Sequence, residues 1–262
     1  MSNTMNYNSG HLNSAVNTDF EEFMSILGKR IPGFSPNDDV KNDIQIIHIY
    51  LYAIKDVGLD FFELNKFSDQ QLYDFKQSLH KFIEALVDAL QGEFINFSLK
   101  MRFSFDVSMR LLYEYTVDSS GEKASFSEEM DRITKTIRES TQRENQSTSS
   151  KNNEFRGSLN ELREKSKKKY WHLSDQVHGR MYFSSDKSVA DDLSSIFLKK
   201  CYSNKNDAIL DCLETSKNVY LCILSYLILT MRLLRSKNIS VYKTTFYTEL
   251  LSTKTSFSIP YI

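Results

Sequence analysis

SDQQLYDFKQSLHKFIEALVDAL, residues 68–90, decides the fold class. Ser68 can cap a free backbone N–H at a helix start while the Gln71 side chain reaches back to it, the reciprocal capping box. Behind this cap Leu72, Phe75, Leu79, Phe82, Leu86 and Leu90 recur at intervals of three and four, which is one apolar stripe along a helix. Gly92 follows as a residue able to break or bend that helix. A long amphipathic helix with one face in a core is the prediction.

The segments on either side extend the pattern. A short amphipathic helix is expected over Asp19 to Lys29, closed by Gly28 and the Pro32-Gly33 turn. A second should run from Asp38 to about Leu64. Its middle, IQIIHIYLYAI (44–54), is apolar nearly all round, so periodicity alone leaves a buried strand open and only length favours helix. Downstream of Gly92 a helix continues through Thr116, with Met101, Phe105, Ser108, Leu112 and Tyr115 on one face. The chain has only 3 Pro and 8 Gly in 262 residues, so turns are few and the elements should be long helices. The fold class expected is all-α, a bundle of long helices with a polar mobile loop.

Composition marks the boundaries within a single helical domain. Residues 1–17 read as a disordered leader with neither the basic nor the apolar region of a signal peptide. Residues 18–117 carry the N-terminal helices, and 118–157 read as a polar flexible loop. The most polar part of that loop is STQRENQSTSSKNN (140–153), with a short helix expected over Glu128 to Glu139. Residues 158–236 carry the C-terminal helices: a long charged one from near Leu159 into YWHLSDQVHGR (170–180), then Lys187 to Lys200 and Asp207 to Arg235. The tail, 237–262, mixes β-branched and polar residues and takes no assignment. No internal repeat is visible.

Several function classes are disfavoured at this level. The net charge of −1 provides no global field for nucleic acid or an anionic membrane, so any such binding needs a local patch. Cys201, Cys212 and Cys222 form no CxxC pair, which argues against a zinc site or a disulfide framework. The most apolar run, Val219 to Met231, would span roughly 20 Å as a helix, short of a bilayer core, and reads as a buried core helix. A cytoplasmic protein without cofactor, metal or membrane contact is expected.

Three segments could carry chemistry. Asp106, Arg110 and Glu114 lie four apart on one predicted helix, an arginine between two carboxylates; this is a solvated ladder if exposed and a costly cluster if buried. On the segment beginning at Tyr170, Ser174 and His178 face the same way one turn apart, beside the stripe Tyr170, Leu173, Val177 and Met181. A serine nucleophile with a histidine base is geometrically possible there, but no third group is evident. His172 and His178 are six apart, so they are not a metal pair on one helix. Arg163, Lys165, Lys167, Lys168 and Lys169 form a basic run that could track phosphates, with Tyr170 and Trp171 offering stacking faces, or could be a solvated helix face.

The order of these pieces carries a resemblance. MRLLYE (109–114) is similar to the Arg-x-x-x-Glu helix of an uncharacterised HEPN-like family of prokaryotic proteins, and YWHLSDQVHG (170–179) resembles that family's Tyr-x-x-Leu-Ser-x-x-Val-His segment. The resemblance spans roughly residues 70 to 235. It implies a HEPN-like helical bundle, often dimeric, whose signature positions here would be Arg110, Glu114, Tyr170, Ser174 and His178. It also implies a setting in toxin–antitoxin, abortive-infection or anti-phage defence systems, where active members cleave RNA without a metal. In those members an arginine precedes the catalytic histidine by four to six residues. Trp171, His172 and Leu173 stand upstream of His178 here, and Lys165, Ser166 and Lys167 upstream of His172, so the arginine is missing from both places. The implied role is therefore a binding or accessory subunit with a protein partner or a second copy, its groove lined by Glu114, Tyr170 and Ser174. RNA binding through residues 163–169 is possible. The alternatives are a metal-independent ribonuclease or toxin with His178 and Arg110 as catalytic residues, and a structural helical scaffold.

Overall fold

The computed structural model describes residues 9–65, 67–117, 124–144, 149–177, 205–233 and 241–254, and among them it contains eight helices and no strand. In chain order these are α1 (Ser9–Arg30), α2 (Asp38–Leu64), α3 (Asp69–Gln91), α4 (Phe94–Val117), α5 (Phe126–Glu144), α6 (Ser149–Val177), α7 (Lys205–Leu233) and α8 (Val241–Lys254). The all-α expectation holds. The expected helix over Lys187 to Lys200 and the histidine His178 lie outside the described residues.

The capping box of α3 forms as the sequence predicts. Ser68 Oγ accepts from the Gln71 N–H at 3.2 Å, and the Gln71 side chain accepts from the Ser68 N–H at 3.0 Å. Gly92 closes the helix in the left-handed region at φ 89°, where a side chain would be strained, and the chain reverses into α4. The two helices are antiparallel, because Gln71 bonds Glu114, Ser78 bonds Ser108, and Lys100 reaches back to Asp88 and Glu84. α2 is capped by the Asn37 side chain, and its Ile-rich middle is a buried helix rather than a strand.

Helix α7 forms the centre. From Val219 to Met231 every residue but Leu221 is buried, and α2, α3, α4, α5 and α6 all contact this helix. Its tyrosines are placed where their hydroxyls find oxygens: Tyr220 donates to the Phe82 carbonyl at 3.4 Å, and Tyr226 bonds Thr134 at 3.0 Å. α8 runs antiparallel along α2. Lys243 donates to Asp56 at 2.8 Å and Asp60 at 2.6 Å, while the Tyr247 hydroxyl donates to Asp56 at 2.8 Å.

Three sequence-based boundaries require correction. The leader assigned to residues 1–17 includes helix from Ser9 onward, because Leu12, Val16, Phe20 and Leu27 form a sparse stripe that packs on the core. The segment assigned as a loop at 118–157 is largely helix: the short helix expected over Glu128 to Glu139 is present but longer, with Phe126, Met130, Ile133, Ile137 and Thr141 on its buried face, and Phe155 already anchors α6. The unassigned tail contains α8, held by Phe246, Tyr247 and Leu251. In each case a few well-spaced apolar residues outweigh a polar average composition.

Close approach fixes one glycine. A Cβ built on Gly58 of α2 would lie 2.3 Å from Phe75 Cζ, and Phe75 is itself buried against Phe62 at a ring separation of 4.5 Å. Alanine is the better helix former by about 1 kcal/mol, yet the clash should dominate. Gly58→Ala is therefore expected to destabilise the chain by about 1–3 kcal/mol, read as a lower urea midpoint at unchanged m-value.

Candidate functional site

The outer face of α4 carries Arg102, Asp106, Arg110 and Glu114, alternating in sign at intervals of four, which places them in one row along the helix. The last three are the ladder expected from spacing, and Arg102 extends it by one turn. α5 covers the C-terminal half of this row. It contributes Glu129, whose side chain is 1% exposed and whose Oε1 lies 2.7 Å from Arg110 Nη2. The approach is an ion pair off the angle of a good hydrogen bond, and both Glu129 oxygens lack a hydrogen-bond partner. Arg110 also donates to the Ala124 carbonyl at 3.3 Å. Glu114 accepts from the Gln71 amide at 2.8 Å, so the glutamine that closes the α3 capping box also holds the far end of the row.

α6 closes the other side. Tyr170 stacks on Phe126 with ring centroids 4.0 Å apart and planes 4° from parallel, and the Arg102 guanidinium lies 5.3 Å from the Tyr170 centroid. Arg102 also reaches the Tyr170 hydroxyl at 3.4 Å. Ser174, one turn on, is buried beside Leu173. Nearer the α4 N-terminus, Ser98 donates to Gln176, whose amide meets His172 Nε2 at 3.0 Å. Arg110, Glu114 and Tyr170 thus share one junction of α4, α5 and α6, with Ser174 on the next turn of α6. His178 lies outside the described residues, so its place in this junction is not part of the geometry.

Burial governs the electrostatics here. It pushes the Glu129 carboxyl up to about 7; Asp106 and Glu114 add to the rise and Arg110 opposes it. Burial also raises the Asp106 carboxyl, against the pull of Arg110, Arg102 and the Tyr170 hydroxyl. Around the single Arg110 guanidinium there are therefore three carboxyl groups, two of them held above their usual range. This is a poor receptor for a phosphodiester, because an incoming anion meets carboxylates already placed there.

The basic run does not form one face. Arg163 and Lys167 both turn toward α5, 3.5 Å and 2.7 Å from Asp131. Lys165 and Lys169, each two residues on from one of these, lie about 200° around the helix from them and are half-buried. Lys168 is exposed. On a helix of 3.6 residues per turn, five cations in seven positions must point several ways, and these do.

Among the described residues no group of three side chains is placed to hold a metal ion, and no helix is long and apolar enough to cross a membrane. The residues that sequence reading missed are Phe126 and Glu129. Their signal was a carboxylate at a stripe position of a short amphipathic helix, concealed by the polar composition around it. No family model, curated protein or solved structure matches this chain.

Glu129 has a consequence for stability. The folded chain holds its proton more tightly than the unfolded chain, whose carboxyl titrates near 4.5. The favourable contribution is thus fully present below that value and lost as pH rises through about 7. Between about pH 5 and about pH 8 the native chain is expected to lose on the order of 3 kcal/mol relative to Glu129→Gln, measured by urea unfolding across that range.

Proposed function

We propose that this chain is a binding or accessory subunit that engages a protein partner through the outer face of α4, and that Arg110 serves as an internal latch for α5. The observation that carries this is the division of that face. Its C-terminal half is covered by α5, whereas its N-terminal half leaves Ile95, Leu99 and Phe103 exposed at 47%, 51% and 50%, one apolar ridge at intervals of four. Trp171, 49% exposed, adds an aromatic next to Tyr170 on the adjoining α6. A ridge of this spacing fits the groove of another helix with an apolar face, and contiguous exposed apolar side chains mark interaction sites more often than single ones do.

The electrostatics favour the same reading over a ribonuclease. The charge of Arg110 is matched by Glu129, and two of the five cations of the 163–169 run are matched by Asp131. By the resemblance of its two motifs, such a subunit would belong to a prokaryotic conflict or anti-phage system.

The test is purification of the tagged chain from its native host, in parallel with Leu99→Glu. Leu99 is half exposed, so the variant should keep its circular dichroism and its unfolding free energy to within about 0.5 kcal/mol. A stoichiometric protein partner is expected with the native chain, weakened at least about tenfold by Leu99→Glu. Undiminished capture by the variant would remove the α4 face from the interaction. RNA recovered without protein, with RNA fragmentation that vanishes in His178→Ala, would establish the ribonuclease instead.

A further inference from the structure

A second site lies between α1, α2 and α3, independent of the α4 face. A cavity of about 100 Å³ opens there. His48 and Leu51 of α2 form its buried floor, and its walls are Phe23 of α1, Tyr52 of α2, and Leu79 and Ile83 of α3. The lining residues recur at helical intervals: Asp19 and Phe23 on α1, His48 to Lys55 on α2, Leu79 and Ile83 on α3. The cleft is thus a product of three helix faces, with no loop in its wall.

The floor is mostly apolar and carries a single imidazole. His48 Nε2 lies 2.6 Å from Asp19 Oδ2, and the rings of Phe20, Phe23 and Tyr52 pack around the imidazole at 5.4, 5.3 and 6.0 Å. His48 Nδ1 is enclosed without a partner, so protonation would bury an unsatisfied N–H. Burial accordingly holds the imidazole below its ordinary range, with the Asp19 carboxylate opposing. In its neutral form the ring can donate from Nε2 to Asp19.

The rim carries both signs of charge. Asp19 is half exposed on the α1 side, with one oxygen held by His48. Lys55 is exposed on the α2 side, one turn beyond Tyr52. An apolar cleft bordered by one carboxylate and one ammonium is complementary to a molecule with an apolar body and a zwitterionic head. The volume suits a branched aliphatic side chain, since a cavity of about 150 Å³ is what holds a whole benzene.

We propose that this cleft binds a free apolar α-amino acid, its side chain between Phe23, Tyr52 and Ile83, its ammonium on Asp19 and its carboxylate on Lys55. The experiment is calorimetric titration of the full chain with leucine, with leucinamide, which lacks the carboxylate, and with 4-methylpentanoate, which lacks the ammonium. Leucine should bind saturably, and each analogue at least about threefold more weakly, the range of an exposed charge pair. Lys55→Met should reduce leucine to the affinity of leucinamide and leave leucinamide unchanged. Ile83→Trp, at a position 42% exposed, should fill the cleft and abolish binding with the circular dichroism intact. Leucinamide equal to leucine would point to the N-terminal residue of a peptide and overturn the assignment. Absence of saturable leucine binding through the millimolar range would overturn it too, as would leucine binding untouched by Ile83→Trp.

Discussion

A helix that is apolar on every side has no face to offer water, and α7 imposes that constraint on the whole molecule. Between Val219 and Met231 it must be surrounded, and five other helices contact it. Each of those helices then needs one stripe turned inward, which is why α3, with the cleanest stripe, and α2, with the broadest, pack close to the centre. Several polar side chains within α7 find oxygens: Ser216 donates to the Cys212 carbonyl one turn back, and the hydroxyls of Tyr220 and Tyr226 reach oxygens on α3 and α5, whereas the buried Thr230 hydroxyl has no hydrogen-bond partner among the described residues. Burial also raises the Cys212 and Cys222 thiols, so both are inert core residues rather than nucleophiles.

With the interior filled, charge is left to orient the periphery. Lys217 joins α7 to Asp43 of α2, Lys243 joins α8 to Asp56 and Asp60 of α2, and Lys100 joins α4 to Asp88 of α3. These pairs are partly exposed, and pairs of that kind each contribute at most about 1 kcal/mol. The Arg110–Glu129 pair is different. Its carboxylate is desolvated, and Coulomb attraction in such a place barely offsets desolvation, so apolar residues of the same size would hold α5 at least as firmly. What the pair adds is geometry: only one placement of α5 brings Glu129 to Arg110, Phe126 to Tyr170 and Arg132 to the Tyr113 hydroxyl together.

The legible parts of the fold were those where local and global signals coincide. Ser68 and Gln71 announce α3 because the cap is a local interaction, and Leu72 to Leu90 repeat with little interruption. The start of α1, both ends of α5 and the whole of α8 escaped because their apolar positions are few, and their helicity depends on a core made by distant segments rather than on propensity. The site divided in the same manner. Asp106, Arg110 and Glu114 could be grouped from spacing, since all belong to one helix. Glu129 and Phe126 could not, because contact between α4 and α5 is a tertiary fact that no spacing within the chain encodes. The five cations near 165 looked like one patch for the opposite reason: sequence adjacency hides the 100° rotation between neighbours on a helix.

The resulting arrangement divides a single helix into a covered half and an exposed half. Toward its C-terminus the charged side chains of α4 are held by α3, α5 and α6, and Arg110 faces the Glu129 carboxylate of α5. Toward its N-terminus the same face of the helix carries Ile95, Leu99 and Phe103 in an adjoining row, half-exposed among the described residues. A face whose charged half is latched and whose apolar half is open presents a fixed, pre-ordered ridge. Its backbone is already helical, so the ordering cost of any association there would fall on the side chains alone.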